Sequence, residues 1–435
     1  MIERNKYLNQ LIKSRNNGMP KVITGIRRCG KSALLKQIYL PYLKEDGLTD
    51  DHILIMDLDD DSNLQYRNPV ELGRFARAFC GGKDHCVVIL DEIQMVDTIL
   101  NPVYTEGRYI LADKNDTNIV SFVDVILGLS RQPNIDLYVT GSNSKMLSAD
   151  IVTQFRDKAE NIRIGPLSFE EFYHFKGGSP TDAIYEYMQF GGMPLAVLKD
   201  REDRQSYLKD LFTATYFRDI IERNNLKKSE SLDELCNLVS ECTGELINAE
   251  KIANTFQSRK HEKIGRDTVS KYLQAFEDAF ILREAKRYDV KGKKEIGAAR
   301  KYYFTDTGLR NARLNFAFPD EGQMLENIVY NELIYNDYTV NVGTYETVAK
   351  DKNGRSVRNN YEIDFFAKKN HRMYYIQVSA DFTNQLTKER EQKAFLSLHD
   401  QVQKIIVINK PVEETRDENG LTIIGIADFL LRFIK

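Results

Sequence analysis

The chain has 435 residues, 42% of them hydrophobic and 29% charged, with a formal net charge of −3. We therefore expect a globular protein of about two to four domains, in which any surface for nucleic acid is local. The sequence has no apolar run of about 18 residues and no apolar core in its N-terminal MIERNKYLNQ, so we expect neither a membrane span nor a secretory signal. Its five scattered cysteines form no Cys-x-x-Cys pair, which indicates reduced thiols, no zinc site and a cytoplasmic location.

The segment GIRRCGKS at residues 25–32 fits the Gly-x-x-x-x-Gly-Lys-Ser pattern of a phosphate-binding loop. The preceding KVIT predicts a buried strand and the following ALLKQIYLPYL predicts a helix, which is the context that this loop requires. Gly25 and Gly30 let successive N–H groups face phosphate oxygens, and the helix N-terminus adds partial positive charge. Lys31 would act in catalysis at the β- and γ-phosphates of ATP, and the Ser32 hydroxyl would ligate Mg²⁺. The predicted nucleotide-binding residues are Gly25, Ile26, Arg27, Arg28, Cys29, Gly30, Lys31, Ser32 and Ala33.

Two further apolar runs predict strands that end in carboxylates. The first, HILIMDLDD, ends at Asp57 and Asp59, which we expect to be solvated rather than catalytic. The second, CVVILDEIQ at residues 86–94, predicts a fully buried strand. Ligands bind at the carboxyl ends of parallel strands. We therefore expect Asp91 to complete the Mg²⁺ site and Glu92 to be the general base that activates water.

A third strand, predicted by DLYVTGSNS, ends in small polar residues. Thr140, Ser142 or Asn143 would hydrogen-bond the γ-phosphate or the attacking water, and Asn143 is our candidate for the catalytic set. The alternative is that these residues cap the next helix, because serine and asparagine are good caps.

The middle of the chain predicts helices and then a hairpin. Residues 166–225 indicate helices with a Gly-Gly-Met-Pro turn, consistent with a lid on the core. INAEKIANTF and IGRDTVSKYLQAFEDAFIL then predict two amphipathic helices, and REAKRYDVKGKKEIGAARKYYFTD predicts a β-hairpin. This order is typical of a winged helix-turn-helix.

The predicted winged helix is locally basic. Residues 251–301 contain 14 lysines and arginines against 7 aspartates and glutamates. A DNA backbone is the natural partner of such an excess. The hairpin lysines would contact phosphates, and only helix 266–280 would read bases. The alternatives are a solvated hairpin, or a winged helix that contacts protein.

The order of GIRRCGKS, VVILDEIQ, YVTGSNS, IGPLSFEEF, FGGMP and YFRDII resembles a broad group of bacterial and archaeal AAA-type ATPases. The resemblance covers nearly the whole chain and implies an α/β fold with a central parallel sheet. It also implies four domains: a P-loop ATPase core at 1–165, a helical lid at 166–225, a winged helix at 226–310 and an α/β restriction-endonuclease-like domain at 311–435. The segment 95–121 departs from the family pattern and is an insertion without an assigned role.

The same resemblance implies a geometry that is capable of forming a homo-oligomeric ring. In such rings an arginine of one subunit stabilises transition-state charge in the site of its neighbour. Arg156 is the candidate for this catalytic role and Arg218 is a second one. The alternative for either residue is a structural ion pair.

The resemblance also implies a metal site in the last domain, where nucleases of this fold use a helix Glu, a strand Asp and a Glu/Gln-x-Lys motif. GQMLENIVYNELI predicts a helix that carries Glu326, and two predicted strands carry Asp364 and Gln377. The third motif reads Gln-Val-Ser, so Ser379 stands where the lysine is expected, and Lys388 is the candidate substitute. We therefore expect a degenerate Mg²⁺ site that does not cleave DNA detectably.

These features predict an ATPase that uses ATP and Mg²⁺ and whose nucleotide state controls a DNA-binding C-terminal half. One alternative is a nuclease gated by ATP. The other is a nucleotide-driven switch that binds a protein partner and no DNA.

Overall fold

A computed structural model describes residues 2–113, 115–142, 159–217, 220–221, 230–261, 263–317, 320–350, 356–380, 392–395, 398, 400–418 and 420–435. These residues form two compact units, Met1–Gly165 and Pro166–Lys435. Within the described ranges, no helix is both long enough and apolar enough to cross a membrane. All five cysteines of the chain are free thiols, as the sequence predicts.

The first unit is built on a parallel sheet. Its strands and those of a small ribbon are β1 (Lys21–Thr24), β2 (Ile53–Asp57), β3 (Cys86–Asp91), β4 (Ile99–Leu100), β5 (Ile119–Val120), β6 (Ile135–Gly141) and β7 (Glu160–Arg163). Among the described residues the sheet has the order β2-β3-β6-β1-β7, and every neighbouring pair is parallel. Every residue of β3 and β6 is buried, as expected for central strands that are covered on both faces. The predicted strands and the mixed α/β class are confirmed.

Helices cover this sheet, and local sequence explains where they begin. They are α1 (Asn5–Ser14), α2 (Lys31–Ala33) continuing through a π-type segment (Leu34–Tyr39) into α3 (Leu40–Glu45), α4 (Pro69–Cys80) and α5 (Phe122–Ser130). The Asn68 side chain accepts the Val70 N–H at the start of α4, where proline takes the first helical position. A capping box of Ser121 and Asp124 begins α5. Both helices pack on the apolar face of β2, β3 and β6.

The segment 95–121, expected to be an insertion, contains the ribbon. Strands β4 and β5 pair antiparallel, and Ile99 also bridges to Leu111. The ribbon leaves large apolar side chains in solvent, with Val103 81% and Tyr104 70% exposed. A run of exposed apolar residues on a loop is typical of an interaction surface rather than of a core.

The second unit begins with helices, as the sequence predicts. They are α6 (Phe169–Lys176), α7 (Pro180–Phe190), α8 (Pro194–Leu198), α9 (Arg201–Asp210) continuing into a π-type segment (Leu211–Phe217), α10 (Glu230–Glu241), α11 (Ala249–Lys260), α12 (Arg266–Asp278), α13 (Thr307–Arg313), α14 (Glu321–Tyr335) and α15 (Ile426–Asp428) with a π-type segment (Phe429–Phe433). The buried face of α12 carries Val269, Leu273 and Phe276, the apolar positions that predict this helix.

The FGGMP motif, which has no evident chemistry in the sequence, packs against one buried carboxylate. The Gly192 N–H donates to Asp306 Oδ2 over 2.6 Å. Gly191 has φ +68°, and a Cβ there would lie 2.1 Å from Asp306 Oδ1, so only glycine fits. Burial raises the pKa of Asp306 to about 6 even though backbone N–H groups bond the carboxylate. The FGGMP motif therefore has a structural role, because its glycines let the chain pack closely against Asp306 within the second unit.

The second unit also contains a mixed sheet. Its strands are β8 (Leu282–Asp289), β9 (Lys294–Phe304), β10 (Thr339–Lys350), β11 (Ser356–Lys369), β12 (Arg372–Ser379), β13 (Gln403–Ile408), β14 (Thr415–Arg416) and β15 (Thr422–Gly425). Their order in the described residues is β14-β15-β13-β12-β11-β10-β8-β9. Strands β8 and β9 form the predicted hairpin. However, β8 also pairs parallel with β10, so one sheet continues across the expected domain boundary at residue 310.

Candidate nucleotide site

The loop between β1 and α2 has a backbone that requires its glycines. Gly25 has φ +154°, and a Cβ on it would lie 2.0 Å from the carbonyl oxygen of Ile164. Gly30 has φ +99° and directly precedes α2. The Lys31 ammonium lies over the loop, where it donates to the carbonyl oxygens of Gly25 (3.1 Å) and Ile26 (3.3 Å). The Lys31 side chain is therefore held against its own loop by two hydrogen bonds.

An arginine from the start of the chain supports this loop. The buried guanidinium of Arg4 donates to the carbonyl oxygens of Cys29 (3.2 Å) and Gly165 (2.9 Å). Cys29 is fully buried, and its thiol lies 3.6 Å from the carbonyl oxygen of Ile164. Sequence reasoning missed Arg4, because nothing in its local pattern points to a loop about 25 residues away.

The loop meets the carboxyl end of β3. Ser32 Oγ donates to Asp91 Oδ1 over 3.0 Å, and the Thr140 hydroxyl donates to the same oxygen. The Glu92 N–H donates to Thr140 Oγ1 over 3.0 Å. These contacts follow from topology, because β3 and β6 are parallel neighbours and their ends meet at one edge of the sheet. The fold thus brings together three regions that the sequence marks separately.

The electrostatics of Asp91 depend on a lysine that the sequence analysis did not select. Lys36, on the segment after α2, lies 2.8 Å from Asp91 Oδ2 and also pairs with Asp57. Burial alone would raise the pKa of Asp91, but hydrogen bonds from Lys36, Thr140 and Ser32 outweigh it and hold the pKa below its usual value. Asp57, expected to be solvated, is 40% exposed but is joined to the site through Lys36. Burial raises its pKa, and Lys36 only partly offsets that rise.

Glu92 has an unusual backbone and a restrained side chain. Its φ of +53° is in the left-handed region, which is uncommon for a non-glycine residue and occurs often at functional sites. Its Oε2 accepts hydrogen bonds from Ser142 Oγ (3.1 Å) and from the Gln94 amide. Gln94 Oε1 is buried and has no hydrogen-bond partner among the residues that the structure describes. Gln94 is therefore a further site residue that sequence reasoning missed, after Arg4 and Lys36.

The remaining predicted residues are distributed as follows. Ile26 is buried, Arg27 and Ala33 are half-buried, and Arg28 is exposed with φ +63°. Asp59 is exposed, in keeping with its expected solvation. The other candidates lie outside the described residues: Asn143, Arg156, Arg218 and Lys388.

The side chains at this site are of the types that bind ATP and Mg²⁺. The Ser32 hydroxyl and the Asp91 carboxylate are neighbouring hard oxygens, which is the ligand type that Mg²⁺ prefers. Those two residues would hold the ion, which would neutralise charge on the phosphate oxygens. The Lys31 ammonium is the cation of the loop and would meet phosphate, and Glu92 is the carboxylate that Ser142 contacts beside it.

A second cluster lies in the other unit, where the resemblance implies a metal site. The structure brings together Glu326 on α14, Asp364 on β11 and Gln377 on β12. The Asp364 N–H donates to Gln377 Oε1 over 3.3 Å. Lys301 of β9 lies 2.8 Å from Glu326 Oε1 and 3.5 Å from Asp364 Oδ1. The sequence analysis named Lys388 as the substitute lysine for this site and did not select Lys301.

The parallel sheet and the loop facing Asp91 define a P-loop AAA domain. In agreement, residues 17–173 match the model of the AAA domain family, and residues 181–320 match a domain of unknown function (DUF8612). The winged helix and the endonuclease-like domain therefore stay predictions.

The chain is 30% identical, over 441 residues and 99% of both chains, to an uncharacterized protein of Haemophilus influenzae, and it belongs to the same family as that protein. It is also 28% identical to an uncharacterized protein of Methanocaldococcus jannaschii, over 86% of this chain and 77% of the relative. Among solved structures, it resembles the Orc1 protein of Aeropyrum pernix in complex with DNA, with 11% identity and a TM-score of 0.32 over 72% of this chain and 92% of that one.

Proposed function

We propose that this protein is a cytoplasmic enzyme that binds and hydrolyses ATP, and that its nucleotide state controls a DNA-binding C-terminal half. The hydrogen bond between Ser32 and Asp91 is the main support for ATP binding and hydrolysis, because it joins the phosphate-binding loop to the acidic end of β3. A glycine-rich turn without a ligand would have no need of that contact.

Each residue has a role in this proposal. Lys31 binds the β- and γ-phosphates, and Ser32 with Asp91 holds Mg²⁺. Glu92 accepts a proton from the attacking water, and its contacts with Ser142 and Gln94 keep the carboxylate oriented. In a homo-oligomeric ring, Arg156 of a neighbouring subunit would add positive charge at the transition state.

The test of the ATPase separates binding from chemistry. Lys31→Ala removes the charge that meets the phosphates, so calorimetry should show loss of most ATP binding. Glu92→Gln keeps the shape but accepts a proton poorly, so it should still bind ATP while steady-state hydrolysis falls at least about a hundredfold.

Two control variants change charge without changing the site. Lys44→Ala lies beyond the site on α3, where the lysine pairs with Asp50, and Glu71→Gln alters an exposed glutamate of α4. Both should behave like the wild type. Normal ATP affinity in Lys31→Ala would remove the loop from the proposal, and normal turnover in Glu92→Gln would move the general base elsewhere.

The DNA part of the proposal is supported by the arrangement of the second unit. Helices α10, α11 and α12 are followed by the β8–β9 hairpin, and Ile247 bridges to Arg300 of β9. This is the element order that a winged helix requires. Several basic residues of the region are exposed, including three at the hairpin tip and three at or before the first turns of α12: Lys291, Lys293, Lys294, Lys263, Arg266 and Lys271.

A DNA titration distinguishes this proposal from a switch that binds only protein. Fluorescently labelled duplex DNA should bind the wild type, and the affinity should fall steeply between two salt concentrations, because phosphate contacts release counterions. ATP and ADP should give different affinities if nucleotide state controls the DNA-binding half. No binding at low salt would favour the protein-binding alternative.

A further inference from the structure

Lys301 is a buried lysine surrounded by carboxylates. Its side chain is 3% exposed, although lysine is rarely buried unless it is paired. The ammonium nitrogen lies 2.8 Å from Glu326 Oε1, 2.8 Å from Glu362 Oε1 and 3.5 Å from Asp364 Oδ1. An ammonium has three N–H donors, and here three carboxylates surround them. These four residues are called the Lys301 cluster below.

The oxygen atoms that a metal would need already have partners. Glu326 Oε1 accepts from Lys301 and also from the buried Tyr303 hydroxyl, at 2.6 Å. Asp364 Oδ2 accepts the Val378 N–H over 2.9 Å. The amide oxygen of Gln377 faces the backbone N–H of Asp364 rather than the carboxylates. A divalent ion could bind only by displacing these contacts.

The residues therefore do not fit the Mg²⁺ ion that the nuclease resemblance implies. Mg²⁺ demands near-ideal octahedral oxygen ligands, whereas the described residues contain no group of three or more potential ligands arranged to hold a metal. Burial alone would lower the pKa of Lys301, but Glu326, Asp364 and Glu362 outweigh it and raise the pKa well above the usual value. The three carboxylates thus already have one monovalent cation between them.

We propose that the Lys301 ammonium is the resident cation of this cluster, and that the C-terminal domain for this reason binds no catalytic divalent metal. Lys301 joins three elements of the second unit, because Glu326 lies on α14 and the two other carboxylates lie on β11. Three carboxylates around one ammonium also leave a local excess of two negative charges, which repels a DNA phosphate. The inference does not depend on the proposed ATPase activity.

The test measures Mn²⁺ binding to the full-length chain by electron paramagnetic resonance. All proteins carry Asp91→Asn, so that the nucleotide site does not contribute a metal. The comparison covers this parent and three further changes made in it: Asp364→Asn, Lys301→Ala and, as a control on the same hairpin, Lys294→Ala. DNA cleavage is assayed separately with Mg²⁺ and Mn²⁺, with and without ATP, and compares the wild type with Asp364→Asn made directly in the wild-type chain, without Asp91→Asn.

We expect Asp364→Asn and Lys294→Ala to bind Mn²⁺ with the same affinity as the parent. We also expect that neither the wild type nor Asp364→Asn cleaves DNA. Lys301→Ala leaves three carboxylates without their ammonium partner. This variant should therefore bind one additional Mn²⁺ per chain, with an affinity at least about tenfold higher than that of the parent. Mn²⁺ binding or DNA cleavage that disappears in Asp364→Asn would overturn the proposal. A folded Lys301→Ala that gains no metal would overturn it as well. If Lys301→Ala does not fold, the comparison of the parent with Asp364→Asn decides.

Discussion

Lys36 shows how one side chain can set the chemistry of another at the residue scale. Its ammonium lies between Asp57 and Asp91, which would repel each other without it. Burial would lower the pKa of Lys36, but the two carboxylates raise it overall. The lysine therefore remains a fixed positive charge beside the carboxylate of Asp91.

We predict that Lys36→Met shifts the acid limb of the ATPase pH profile to higher pH. Lys36 helps to hold the pKa of Asp91 below its usual value. Without that cation the pKa of Asp91 rises, so a smaller fraction is ionised at mildly acidic pH and activity is lost sooner on acidification. The measurement is kcat/KM between pH 4.5 and 8, with Lys44→Met as the control on the same helical run. An unshifted acid limb would show that Lys36 acts only on packing.

Sequence predicts some of these residues and not others, for a physical reason. Ser32, Asp91 and Glu92 each follow a buried run within a short motif, so local pattern fixes which sheet edge they occupy. Lys36 and Lys301 look like ordinary solvated lysines in the sequence. Their partners are contributed by other strands and helices, so only tertiary packing reveals them.

At the element scale, the turn from β1 into α2 has no room for a side chain at Gly25. Gly25 combines a positive φ with a carbonyl oxygen 2.0 Å from where a Cβ would stand. The loop would have to move away from Ile164 to accept any side chain. Such a movement displaces the backbone N–H groups that would face phosphate.

We predict that Gly25→Ala abolishes ATP binding, while Gly47→Ala leaves it intact. Gly47 also has a positive φ, +96°, but a Cβ there meets nothing within 4 Å. Both variants share a backbone cost of about 1–2 kcal/mol, and only Gly25→Ala adds a backbone collision. Calorimetric titration with ATP, together with thermal unfolding of both variants, separates the two effects. Equal ATP affinity in both would contradict the role given to the loop.

The sequence predicts which segments form strands better than it predicts which strands pair with each other. The strands β1, β3 and β6 are rich in apolar and β-branched residues and are buried along their whole length, which leaves little ambiguity in their assignment. The β8–β9 hairpin was also predicted, but its pairing with β10 was not, because that contact joins segments about 55 residues apart. The ribbon at 95–121 consists of strands of two residues, which are too short to give a periodic signal.

At the scale of the whole molecule, the net charge of −3 conceals an uneven distribution. Much of the basic excess between residues 251 and 301 is already paired within the chain, as in Arg259 with Glu241 and Lys260 with Glu234. At the hairpin tip, Lys291, Lys293 and Lys294 are exposed. These lysines are therefore accessible to an external polyanion.

We predict that changing the three tip lysines to Gln weakens DNA binding for every sequence tested and flattens its salt dependence. Each lost phosphate contact should reduce the salt slope by about one. A matched control removes the same number of charges from paired positions, as Lys251→Gln, Arg259→Gln and Lys260→Gln, and should change the slope less. If the two triple variants have the same affinity and slope, net charge rather than the hairpin tip determines binding.

The sheet shared by β8 and β10 limits how this chain can be divided into fragments. A fragment that stops at residue 310 would remove β10 and leave the backbone of Arg287–Asp289 without its partner. It would also uncover the side chains that β9 buries against α14, such as Tyr303 on Tyr330. An unprotected strand edge beside exposed apolar surface recruits other copies of the same edge. The isolated hairpin fragment should therefore aggregate, and any duplication or shuffling of this protein has to keep β8, β9 and β10 together.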